Sequence, residues 1–144
     1  MRYVILVGRI VFSYMFIALG LNHLMGGGTE MAAQAGIPFA SLAVPFGGIL
    51  ALLGGLSLVF GYKSKYGAWL IILFLLPVTF TMHNFWAIQD PMSAMLQQVM
   101  FLKNLSMMGG APAFAYFGAG PLSVDAWLKS GRQLPQVFSK KVNA

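Results

Sequence analysis

The chain has no cysteine, three acidic residues and two histidines in 144 positions, and each shortage closes a line of chemistry. Without cysteine there is no thiol–disulfide relay, no covalently attached haem and no thiolate-held iron–sulfur cluster, so electron transfer would need a bound cofactor or a partner. The acids Glu30, Asp90 and Asp125 lie in separate segments, which leaves no acid–histidine cluster for a zinc or hydrolytic centre. His23 and His83 could supply the two imidazoles of a haem, but no other residue pattern supports one. No metal and no tightly bound cofactor are expected.

What the chain has is apolar length: 58% of it is hydrophobic and only 8% charged. Four stretches, 4–25, 42–61, 66–88 and 97–118, approach the roughly 20 residues that cross a ~30 Å hydrocarbon core as helix. The expected fold class is all-α, a polytopic membrane protein built as a four-transmembrane-helix bundle over 1–125, followed by a basic cytoplasmic tail over 126–144. Arg9 interrupts the first stretch and no small-residue cleavage pattern follows it, so this span is expected to be retained.

Orientation follows the basic residues. Arg2, Lys63, Lys65, Lys129, Arg132, Lys140 and Lys141 fall at one side of such a bundle, while 26–41 and 89–96 hold only Glu30 and Asp90. Both termini are therefore expected in the cytoplasm. The net charge of +6 is explained by an anionic inner leaflet, and nucleic acid is not an expected partner. The tail mixes Trp127, Leu128, Val137 and Phe138 with basic residues and is broken by Pro135, which fits short interfacial lipid contact better than one long helix.

Gly47, Ala51 and Gly55 recur every four residues and predict a face of close helix packing. Pro77 and Pro112 each remove a backbone donor, freeing the carbonyls of Leu73 and Met108; they either shape their helices or open a cavity. In the first span Arg9, Ser13, Phe16, Gly20 and His23 form one stripe. Arg9 either snorkels to the inner surface or pairs with Asp125, which would pin the first and last helices together.

A charge in hydrocarbon costs at least a few kcal/mol, so polar residues within the spans are where function is sought. His83 and Lys103 both lie roughly 7 to 9 Å below the outer boundary of their expected spans. Asn22 and His23 close the first span on that side, and Trp86 lies just above His83. Helical side chains lean toward the helix N-terminus, so Lys103 can snorkel outward while His83 leans inward toward protein or a small wet cavity. The faces Thr79–His83–Trp86 and Met100–Lys103–Met107–Gly110 would, if they meet, make a pocket of apolar, aromatic and sulfur surface with a cation and an imidazole at its mouth. Such a pocket suits a ring with polar carbonyls, as in a quinone, or a lipid headgroup. The candidate ligand-binding residues are Asn22, His23, His83, Trp86, Lys103 and Asn104.

Several motifs carry a family resemblance: Gly8-Arg9-Ile10, Gly54-Gly55-Leu56 before Gly61, His83-Asn84-Phe85-Trp86, Lys103-Asn104 with Gly109-Gly110, and Gly118-Ala119-Gly120-Pro121-Leu122-Ser123-Val124-Asp125. Together they resemble the DoxX family over Arg2 to about Trp127. The resemblance implies a four-helix protein of the bacterial inner membrane linked to redox function, with relatives similar to the membrane subunit of thiosulfate:quinone oxidoreductase and others serving as anchors of oxidoreductase assemblies. Many relatives carry a glutamate where this chain has Ala51, so a role for that acid does not transfer. No catalytic residue is carried over, and an enzyme acting alone is not expected. The expected role is an accessory or anchor subunit of a redox-associated complex, contacting quinone or lipid and working with other subunits or copies of itself. The alternatives are a quinone-reactive subunit and a small transporter, the last disfavoured by the missing acidic site.

Overall fold

Long apolar runs fold as helix because a helix satisfies its interior backbone groups within itself. The structure, a computed structural model, describes residues 2–132. It contains α1 (Arg2–Leu24), α2 (Thr29–Gln34), α3 (Ala40–Phe60), α4 (Ser64–Met82), a 3-10 turn (Phe85–Ala87), α5 (Pro91–Phe117) and α6 (Val124–Arg132). No strand occurs among the described residues. The tail expectations for Pro135, Val137, Phe138, Lys140 and Lys141 lie outside the described residues.

Three helical segments are long and apolar enough to cross a membrane: Arg2–Leu24, Ala40–Phe60 and Ser64–Ala87. The longest helix, α5, has 27 residues and runs ~40 Å, but Gln97, Gln98, Lys103, Asn104 and Ser106 interrupt its apolar surface. The helix α1 packs on α3, α3 on α4, and α4 on α5. Phe12 of α1 meets Phe114 of α5 with ring centroids 5.1 Å apart, which closes the circuit. A core of Phe16, Ala51, Leu58, Ala68, Ile71, Phe74, Leu75 and Ala111 fills the centre. Large apolar side chains such as Val11, Tyr14, Leu53 and Leu76 point outward, a surface suited to lipid. Of the stripe expected on α1, Arg9, Ser13, Phe16 and Gly20 are its buried residues and His23 is half-buried.

Small residues set how closely α3 meets its neighbours. A Cβ on Gly54 would stand 2.7 Å from Ile71 Cγ1 and 2.9 Å from the Gly67 carbonyl oxygen, so α3 and α4 touch backbone to backbone there. Toward α1, a Cβ on Gly48 would lie 2.8 Å from His23 Cβ, and one on Gly55 2.8 Å from Ile17 Cγ1. The expected single seam is therefore two: Gly47 faces the Phe74 ring of α4, Gly55 faces α1, and Ala51 is fully buried in the core. Successive helical positions differ by about 100°, so adjacent glycines serve neighbours on different sides.

Helix ends also depart from the expected spans. Regular α-helix in the third span stops at Met82, because His83 leaves helical geometry at φ −119° and ψ 40°. The connection 26–41 holds α2. The helix α5 starts at Pro91, earlier than expected, since the Asp90 carboxylate accepts from the Ser93 N–H at 2.8 Å and Pro91 occupies the first turn.

Candidate functional site

From the Gly54–Gly67 backbone contact toward the end that carries α2, side chains rather than backbone fill the space between α3 and α4. There Gly47 has only the Phe74 ring within reach, 3.3 Å from where a Cβ would stand. A cavity of about 930 Å³ lies at this end. Met15 and Leu19 of α1, Leu50 of α3 and Phe74 and Val78 of α4 give it apolar walls, and Met31 and Ala32 of α2 cover it. Pro77 is part of the wall, as is Leu73, whose carbonyl it frees.

Four of the six candidate ligand residues line this one cavity: His23, His83, Lys103 and Asn104. His23 is half-buried, and its Nδ1 is sealed with no hydrogen-bond partner. Asn104 is 4% exposed, and its amide makes no hydrogen bond to another described residue. Lys103 is exposed and finds only the Met100 Sδ, at 3.3 Å. Asn22 and Trp86 are not in the lining. Asn22 is exposed with its amide against Gly27, and Trp86 is 60% exposed with its ring 5.8 Å from that of Phe101. The Thr79–His83–Trp86 face does not form, because the helix ends before His83; Thr79 is buried and donates to the Leu75 carbonyl at 2.6 Å.

Sequence reasoning missed Gln97. Its Oε1 lies 2.7 Å from His83 Nδ1, across the connection between α4 and α5. The signal in the sequence is a polar residue at the start of the apolar run 97–118, one connection away from His83.

The opposite end corrects the expected Arg9–Asp125 ion pair. Arg9 is 1% exposed, so it does not snorkel. Its Nη1 donates to the Ala119 carbonyl, and its Nη2 donates to the carbonyls of Val59 at 3.1 Å and Leu122 at 2.9 Å. Val59 lies in the last turn of α3, where carbonyls lack helical partners and the helix dipole favours a cation. Asp125 instead accepts from the N–H groups of Lys63 at 2.9 Å and Ser64 at 3.3 Å, at the start of α4, while its own N–H donates to the Gly61 carbonyl at 3.0 Å. Both residues tie the segment after α5 to the bundle, but through backbone groups, and no ion pair joins them.

The DoxX family model matches residues 4–84, from the first turn of α1 to the end of α4. Inner membrane protein YqjF of Escherichia coli (strain K12) is 31% identical over 126 residues, covering 86% of this chain and 91% of that protein. Inner membrane protein YphA of the same strain is 26% identical over 123 residues, covering 84% of this chain and 87% of that protein. The ER-derived vesicles protein ERV29 of Saccharomyces cerevisiae is 32% identical over 77 residues, covering 54% of this chain but only 24% of that protein. No solved structure gives a match.

Proposed function

This chain belongs to the DoxX family, and we propose on that premise that it is an integral accessory subunit of a redox-associated complex in the bacterial inner membrane, with a cavity that holds a quinone-type amphiphile. In this reading α1, α3, α4 and α5 all cross the bilayer. Arg2, Lys63, Lys65 and Lys129 gather at the Arg9 end, and Glu30 and Asp90 lie at the cavity end. The positive-inside tendency then puts both termini in the cytoplasm and the cavity in the outer leaflet. The names of YqjF and YphA support the same membrane.

The observation that carries the ligand is the composition of the cavity: an apolar space of about 930 Å³ with His23, His83, Lys103 and Asn104 in its lining. Apolar walls with a few convergent polar groups recognise a greasy molecule by its head. The redox setting rests on what the family resemblance implies, and Ala51 removes the acid that a cation-coupled role would need. Purification from the native host in mild detergent, with mass spectrometry of co-eluting proteins and lipophiles, tests both halves. The expected result is a stable protein partner together with a quinone that is lost in Lys103→Ala. A chain recovered alone and without any ring-bearing lipophile overturns the reading.

A further inference from the structure

The hydrogen bond between His83 and Gln97 fixes more than a side-chain position. With the Gln97 amide assigned so that its Oε1, an acceptor, faces His83 Nδ1 at 2.7 Å, Nδ1 is the nitrogen that carries the proton and donates. A neutral imidazole with its proton on Nδ1 keeps a lone pair on Nε2. His23 is arranged the other way. Its Nδ1 is sealed without a partner, so the proton belongs on Nε2, the nitrogen still able to find an acceptor. The two imidazoles that line the cavity are thus an acceptor at His83 and a donor at His23, joined by the donors of Lys103 and the amide of Asn104.

We infer that Gln97 is a specificity-determining residue that makes the cavity prefer a hydroxyl-bearing head, the hydroquinone form of a quinone couple over the oxidised form. This deepens the proposed function and rests on the lipophile reading of the same cavity. A quinone offers carbonyl oxygens alone, which satisfy His23, Lys103 and Asn104 but set a lone pair against the lone pair of His83. A hydroquinone hydroxyl donates to His83 Nε2, and its oxygens still accept from the other three. Gln97 itself acts through His83 and is a positioning residue.

The test uses the full chain in nanodiscs of phosphatidylethanolamine and phosphatidylglycerol, held anaerobic, with a short-chain benzoquinone and its hydroquinone as probes. One neutral hydrogen bond gained predicts about tenfold tighter binding of the hydroquinone. Gln97→Leu releases the tautomer and should bring the two affinities within about threefold, with hydroquinone still bound. Gln97→Glu, whose carboxylate favours the doubly protonated imidazolium and so turns His83 Nε2 into a donor, should remove or reverse the preference. Should Gln97→Leu fail to fold, the 15N spectrum of the unmodified protein decides, because a His83 proton found on Nε2 contradicts the inference. Equal affinity for the two forms, or a preference unchanged by Gln97→Leu, overturns it. Failure of both probes to bind strikes the lipophile reading instead.

Discussion

The two ends of the bundle treat buried polarity in opposite ways. At the Arg9 end, the side chains of Arg9 and Asp125 bind five backbone groups between them, from Lys63, Ser64, Val59, Ala119 and Leu122. Only Arg9 Nε and the Ser13 hydroxyl are left there without partners among the described residues. At the cavity end, His23, Lys103 and Asn104 have no strong protein partner, and His83 has one. The same row of α3 shows the contrast in packing: Gly54 is closed against Gly67, while Gly47 faces a single ring beside open space. Polar groups that the backbone satisfies hold the fold. At the cavity end, His23, His83, Lys103 and Asn104 line the space of about 930 Å³ between the helices.

Breaking the closed end should cost the most. Arg9→Leu strands the carbonyls of Val59, Ala119 and Leu122, and at roughly 1–3 kcal/mol for each orphaned acceptor the loss is about 3 kcal/mol or more. Arg9→Lys should recover only part of it, since one ammonium cannot reproduce the guanidinium fork. Thermal unfolding in detergent reads both; an Arg9→Leu variant as stable as the parent would falsify the joint. Next come the paired alanine substitutions. Gly54→Ala drives a methyl into Ile71 and the Gly67 carbonyl and should cost about 1–3 kcal/mol. Gly47→Ala should be near neutral, because the Phe74 ring can yield toward the cavity and the helix gains from losing a glycine. Equal costs would mean that the two positions are packed alike.

Asp125→Asn keeps one acceptor at the start of α4 but loses the charge, and about 1 kcal/mol is expected. At the cavity end the pattern should invert. Lys103→Ala and His83→Ala should move stability by no more than ~0.5 kcal/mol, yet abolish the co-purification of a lipophile proposed for the unaltered chain. A large drop in melting temperature with the lipophile retained would reverse the assignment of the two ends.

Much of this was legible in the sequence, and the limits have physical causes. The stripe Arg9, Ser13, Phe16, Gly20 and His23 could be read because a helix repeats its faces at fixed spacing, and all but half-buried His23 are buried. Depth along the chain likewise brought His23, His83, Lys103 and Asn104 to one cavity. Depth says nothing of rotation, however, and Trp86 and Asn22 share the level yet turn outward. Charge complementarity suggested Arg9 with Asp125, but a buried guanidinium can be satisfied by helix-end carbonyls, which every sequence contains and none advertises. The early start of α5 was readable in Asp90-Pro91-Met92-Ser93, an N-cap and a first-turn proline that the search for apolar runs passed over.

That cap yields the smallest expected effect. Hydrogen bonding from Ser93, by its hydroxyl and then by its backbone N–H, holds the Asp90 carboxyl below its ordinary value. A carboxyl whose folded value is depressed stabilises the fold above its unfolded value, and that contribution disappears as pH falls through the lowered folded value. Asp90 is fully exposed, so water screens the interaction and only the first turn of α5 should respond. Amide exchange at Ser93 and Ala94, corrected for the intrinsic pH dependence, should therefore quicken as pH drops below the usual carboxylate range, while Asp90→Ala is already fast and does not change. Because Gln97 lies within the next turns of the same helix, fraying there loosens the His83 hydrogen bond while the Arg9 joint, at the far end of α5, stays intact. Acid that first slackened the Arg9 end would show that the two ends are coupled and that the contrast between them is not a division of labour.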